Sequence, residues 1–169
     1  MTALQLAAAV NTVANGGVYV APKLVEAVIG ADGEVTDTPA AATHQVIQPA
    51  TAATMTDMMK GVVCEGTGKG AQIPGISVAG KTGTAYKVQD DNTYGAAGTR
   101  AYRASFVGYF PADAPRVTIL VTIDEPDPTS NDRFGGKAAA PLFSSIATAA
   151  IHELQITPTP GDSGCPAAG

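Results

Sequence analysis

Apolar positions change their period several times along the chain, and each change marks a predicted element. Leu6, Val10 and Val13 share one helical face behind Thr2-Ala3-Leu4-Gln5, a capping-box pattern, and Gly16-Gly17 supplies a stop. Val18–Val20 and Leu24–Ile29 read as extended chain, with a possible hairpin at Asp32-Gly33 before Glu34-Val35. The Ala/Thr-rich stretch through Thr43 is expected to be loop. Pro49 suits the first position of a second helix, and Gly66, Gly68 and Gly70 break it. Its apolar face is Met55, Met59, Val62 and Val63, a stripe read as core packing.

The second half alternates more strictly. Ser77 to Tyr86 reads as extended, and residues 87–101 as a long polar loop. Ser105–Phe110 and Val117–Glu125 are the strongest strand signals, separated by a turn at Pro111–Pro115. After a turn-rich stretch from Pro126 to Gly136, Lys137–Leu154 reads as a helix with Pro141 in its first turns. Val107, Tyr109, Val117, Ile119, Val121 and Ile123 are expected to be buried mostly by that helix, through Leu142, Phe143 and Ile146. Residues 1–156 form the body, and 157–169, rich in Pro, Gly and Ala, are expected to be a flexible tail.

Composition narrows the function classes. Hydrophobic residues make up 45% of the 169, enough for a packed core. A net charge of -5 argues against a nucleic-acid partner, which needs clustered Lys and Arg. With aromatics at 5% and no Trp, a base-stacking surface is also excluded. No run approaches the ~18 apolar residues of a membrane span, and the start has no basic region to read as a signal peptide. Cys64 and Cys165 make no disulfide framework and lack metal-ligand partners; whether they pair is open. His44 and His152 have no clustered carboxylates or thiols, so no metal is expected.

Two motifs compete for Lys81. Gly75 to Thr82 fits GxxxxGK[ST], the phosphate loop of nucleotide-binding proteins, and Asp124-Glu125 ends an apolar strand as a magnesium-holding carboxylate would. A phosphate loop, however, needs a buried strand before it and a helix after it. Here Lys69 to Pro74 is a poor buried strand, and Gly83-Thr84 are weak helix formers. The other reading is a strand carrying Lys81-Thr82-Gly83-Thr84, which offers a cation, two hydroxyls and a glycine to a carboxylate ligand. An ordinary edge strand with these side chains in water would look the same.

The neighbouring segments resemble the C-terminal part of the transpeptidase domain of class B penicillin-binding proteins. Thr2-Ala3-Leu4-Gln5-Leu6-Ala7 through Gly16-Gly17 is similar to a helix of that family. Val62-Val63-Cys64-Glu65-Gly66-Thr67-Gly68-Lys69-Gly70-Ala71 resembles its GTG segment, and Val78 to Ala85 its AGKTGTA strand. Ala104 to Ala112, Ile123-Asp124-Glu125-Pro126, Gly135-Gly136 and Ala139 to Phe143 complete the order. The family's set is S-x-x-K, S-x-N or S-D-N, and K-T-G; only the last is present, since no Ser has Lys three places on or Asn two places on. Ser130-Asn131-Asp132 is read as turn chemistry. The nucleophile is therefore expected upstream, outside this polypeptide, and the chain alone is expected to be inactive.

The resemblance implies an α+β fold, an antiparallel sheet with packed helices, of which three strands are expected here. It implies that Lys81, Thr82, Gly83 and Thr84 bind a stem peptide ending in D-Ala-D-Ala, or a β-lactam, along a sheet edge. Lys81 would supply positive potential, the Thr82 and Thr84 hydroxyls would hold the terminal carboxylate, and the Thr84 backbone N–H would be one oxyanion donor. The implied partners are peptidoglycan and the remainder of the same domain, outside the cytoplasmic membrane, with no cofactor. A β-lactam sensor or β-lactamase fragment is the related alternative.

Overall fold

The computed structural model describes residues 1–96, 100–127, 129–158, 162, 164 and 165. Helix α1 (Ala3–Ala14) starts at the expected capping box, with Thr2 and Gln5 bonding each other reciprocally. Strand β1 (Val18–Val20) follows, then β2 (Ala27–Ile29) and β3 (Val35–Asp37), which pair as the expected hairpin. Gly33 takes a φ of 84° in its turn, which a side chain would resist. Strand β4 (Thr43–Gln45) returns to pair with β1, so the Ala/Thr-rich stretch ends in a strand that the sequence does not announce. Helix α2 (Pro49–Cys64) has Pro49 in its first turn and ends before Gly66.

The main sheet is three-stranded and antiparallel, in the order β5 (Ala79–Tyr86), β6 (Tyr102–Phe110), β7 (Val117–Asp124). Helix α3 (Gly135–Glu153) packs on one face, and α1 and α2 cover the other. On the α3 face, Phe106 and Phe110 meet Phe143 edge-on, with ring centroids 4.8 and 6.1 Å apart. Val117, Ile119, Val121 and Ile123 join them, as expected.

Two expectations are corrected here. Val107 and Tyr109 point away from α3, because β6 is buried on both faces and alternation sends them to the other side. There Tyr109 packs with Ala79, Val10 and Met59 and shares a 2.7 Å hydrogen bond with Thr56. Leu142 and Ile146 are 45% and 42% exposed; α3 instead turns Ala139, Ala140, Phe143 and Ala147 inward. Small residues let the helix lie close to the sheet, so Phe143 carries most of the bulk, with half-buried Ile151 nearer the C-terminal end.

The segment after α3 is tied back to the body. Ile156 is buried, and Asp162 Oδ2 accepts from the Ser77 N–H and hydroxyl at 2.9 and 2.7 Å. Cys165 is disulfide-bonded to Cys64 at the end of α2. Of the tail expected to be flexible, Asp162 and Cys165 are anchored; 159–161, 163 and 166–169 lie outside the described residues.

Candidate functional site

Lys81, Thr82, Gly83 and Thr84 lie on β5, and among the described residues β5 has β6 on one side only. The Lys87 N–H donates to the Ala101 carbonyl, continuing the β5–β6 ladder. Antiparallel hydrogen bonding alternates, so odd-numbered residues of β5 bond to β6. The N–H and C=O groups of Thr82 and Thr84 therefore point to the open edge.

Strand alternation puts the Lys81 side chain opposite those of Thr82 and Thr84. Its length overcomes this: Nζ wraps round the edge to within 3.0 Å of the Thr82 carbonyl and 3.4 Å of Thr82 Oγ1. Cation, hydroxyls and open backbone groups thus converge on one strip. Lys81 and Thr84 are exposed and Thr82 half-buried.

Each threonine is supported from behind. Thr84 Oγ1 accepts from the Gly135 N–H, at the first turn of α3, at 3.2 Å. Thr82 Oγ1 lies 2.8 Å from Thr67 Oγ1, on the loop that follows α2. Helix α3 reaches the strand because it begins with two glycines. A Cβ on Gly135 would strike the Ser105 carbonyl, and one on Gly136 the Thr67 carbonyl.

Beyond Thr84 the hairpin ends in an aromatic ladder, Tyr86 to Tyr102 to Phe134, with Arg100 over Tyr86 and Arg133 over Tyr102 and Phe134. Asp124 and Glu125 lie at this far end. Lys87 bridges both, Arg103 bonds Asp124, and the hydrogen bond from Lys87 leads in holding the Asp124 carboxyl below its ordinary range.

The nucleotide reading is overturned by the same geometry. Gly75 sits in a tight turn, and the segment through Thr82 enters a strand, with no helix N-terminus at Lys81 to receive a phosphate. Asp124 is engaged by cations rather than poised for a metal. Among the described residues no group of three His, Cys, Asp or Glu side chains converges on a metal position, and no helix is long and apolar enough to cross a membrane. An apolar groove of about 560 Å³ between α1, β1 and α2, lined by Leu4, Ala8, Val13, Tyr19, Ile47 and Met55, carries no charged side chain and is not this site.

Residues 1–148 match the penicillin binding protein transpeptidase domain. The chain belongs to this family. It is 38% identical over 170 residues to penicillin-binding protein PbpB of Mycolicibacterium smegmatis, covering 95% of this chain and 26% of that protein. It is 31% identical over 160 residues to a probable peptidoglycan D,D-transpeptidase, PenA, of Neisseria meningitidis, covering 94% of this chain and 25% of the relative. Penicillin binding protein 3 of Mycobacterium tuberculosis, solved with aztreonam, superposes with a TM-score of 0.79 and 32% identity, over 99% of this chain and 38% of that one. The chain thus spans about a quarter of the length of these curated relatives. The expected α+β transpeptidase fold and the resemblance to its C-terminal part are borne out. Thr67 and Gly135, which support the two threonines, were not assigned that role from the sequence; each lies far from its partner in the chain and joins it only through the fold.

Proposed function

We propose that this chain is the ligand-binding part of a peptidoglycan D,D-transpeptidase, acting on stem peptides ending in D-Ala-D-Ala and on β-lactams that mimic them. One observation carries the reading: in a chain of this family, Lys81, Thr82 and Thr84 converge on an open strand edge. A terminal carboxylate is an acceptor-only anion. The Lys81 cation and two hydroxyls are matched donors, and charge-assisted bonds of this kind are about twice as strong as neutral ones. The extended peptide backbone would add to β5 as a further strand.

In the proposed reaction a serine supplied by the rest of the domain attacks the penultimate D-Ala carbonyl. The developing oxyanion takes a hydrogen bond from the outward Thr84 N–H; removing such a donor typically costs ~2.7–4 kcal/mol of transition-state stabilisation. The C–N bond breaks, and D-Ala leaves with the serine's proton delivered to its amine. An amine of a second stem peptide then attacks the acyl-serine, forms the cross-linking amide and returns the serine. A β-lactam stops at the acyl-serine. We place this activity outside the cytoplasmic membrane, and the Cys64–Cys165 disulfide supports an oxidising location.

The test is covalent labelling with a fluorescent penicillin. The 169-residue chain alone is expected to take up no boil-resistant label, whereas a longer protein carrying the S-x-x-K serine upstream of Met1 labels. Specific labelling of the isolated chain would overturn this division of the site.

A further inference from the structure

We infer that Thr67 is a positioning residue for carboxylate recognition: its hydroxyl donates to Thr82 Oγ1 and so turns the Thr82 proton outward, towards the ligand. The inference rests on the function proposed above.

The argument is a count of protons. A hydroxyl has one proton and two lone pairs, and a carboxylate accepts only. A threonine that binds a carboxylate must therefore give its single proton to it. Thr84 is set up for this without ambiguity. Its oxygen faces the Gly135 N–H, which can only donate, so its proton is free for the open edge. Thr82 faces two groups. Lys81 Nζ can only donate to it. Thr67 Oγ1, at 2.8 Å, can act either way. If Thr67 accepts, the Thr82 proton is consumed behind the strand. If Thr67 donates, both threonines present protons to the same anion. A carboxylate arriving at the edge selects the second arrangement. Among the described residues the Thr67 hydroxyl has no other hydrogen-bond partner, so its proton has one protein acceptor, Thr82.

The backbone around Thr67 is held firmly enough for this task. The Gly68 N–H bonds the Val62 carbonyl at 2.9 Å, fixing the loop to the end of α2. Gly68 is buried against the Phe106 ring, and the Thr67 carbonyl rests on Gly136 at the start of α3. Three residues before Thr67, Cys64 is tied to Cys165. Thr67 is therefore pinned between α2 and α3 while its side chain stays exposed at the edge.

The experiment measures acylation of the longer, serine-bearing protein by benzylpenicillin and by its methyl ester, which lacks the anion. Variants are Thr67→Val, Thr67→Ser, Thr82→Val and the Thr67→Val/Thr82→Val pair. Thr67→Val is expected to slow acylation by the free acid about tenfold, the scale of one hydrogen bond to a charged group, and to leave the ester rate unchanged. Thr67→Ser should restore the free-acid rate. The double variant should be no slower than Thr82→Val, since both remove one relay. A Thr67→Val protein that reacts normally with the free acid, or slows equally with both compounds, overturns the positioning role while a slow Thr82→Val leaves the carboxylate site standing. Losses that multiply in the double variant overturn it as well. A Thr82→Val protein unimpaired towards the free acid overturns the carboxylate reading itself, and the role of Thr67 with it.

Discussion

The backbone N–H of Gly135 donates to Thr84 Oγ1 across 3.2 Å, joining the first turn of α3 to the open edge of β5, 51 residues earlier in the chain. The contact exists because a glycine lets the helix close on β5 and β6. Gly135→Ala would drive a methyl group into the Ser105 carbonyl. Overpacking of this kind costs about 1–3 kcal/mol. Urea unfolding of the variant is expected to show a lower midpoint with an unchanged slope.

At the edge itself, Lys81→Ala is expected to slow penicillin acylation of the serine-bearing protein more than Thr84→Val does. The first removes the positive charge of the strip. The second removes one hydroxyl and keeps a β-branched residue with its outward N–H. Equal rates for wild type and both variants would remove these residues from the site.

Core packing on α3 is concentrated in one side chain. Phe143 is fully buried between Phe106 and Phe110, whereas Leu142 beside it is 45% exposed. Phe143→Ala is expected to cost about 3–5 kcal/mol. Leu142→Ala should stay close to the ±0.5 kcal/mol of ordinary surface changes. Denaturation of the two variants side by side checks the orientation of the helix.

Asp162 gives the anchor of the C-terminal segment a pH dependence. Burial pushes its pKa up, but the N–H groups of Ser77 and Gly164, the Ser77 hydroxyl and the Lys60 charge outweigh burial and hold it below the ordinary carboxylate range. A carboxyl lowered on folding stabilises fully above its unfolded pKa of about 3.9, and this contribution is lost as pH falls through the folded value. Thermal melting from about pH 6 to pH 3 should therefore fall more steeply for the wild type than for Asp162→Asn, which starts lower and lacks this titration.

Removing the Cys64–Cys165 bond, with Cys165→Ser or a reductant, should destabilise the chain by roughly 2–5 kcal/mol. A melting temperature that is lower with reductant in the wild type, and insensitive to it in Cys165→Ser, is the expected pattern.

The sequence was most legible where a signal is local. The Thr2–Gln5 capping box, the Asp32-Gly33 hairpin, Pro49 at the start of α2 and the alternation of β7 are each written within a few residues. It was least legible where partners are distant. Strand β1 is read as extended at Val18–Val20, but its partner β4 is three residues, too short for a period, and the two find each other across two other strands. Alternation sorts β6 into two sets of side chains but carries no information on which helix covers which set, so it cannot tell that Tyr109 faces α1 and α2 rather than α3. The bulk of Leu142 and Ile146 suggests core, but closeness to the sheet decides the facing side, and the alanines of α3 pack there with Phe143. At the edge, the residues Lys81 to Thr84 can be read directly, but the groups bonded to them from behind cannot. Thr67 and Gly135 arrive from two different helix ends.

The bond between Cys64 and Cys165, 101 residues apart, also changes the topology of the molecule. It makes a closed covalent ring. The loop bearing Thr67, the whole three-stranded sheet and α3 lie on the ring, while α1, strands β1 to β4 and all of α2 before Cys64 hang outside it. A protease cutting the polar stretch between Lys87 and Ala101 would open the ring without releasing a piece. The Lys81–Thr84 edge would still be linked to α3 the long way round, through the Thr67 loop, Cys64 and the disulfide. The half of the chain that carries the open β5 edge is thereby guarded against dissociation by a single cut, a protection that the two helices and short strands outside the ring do not share.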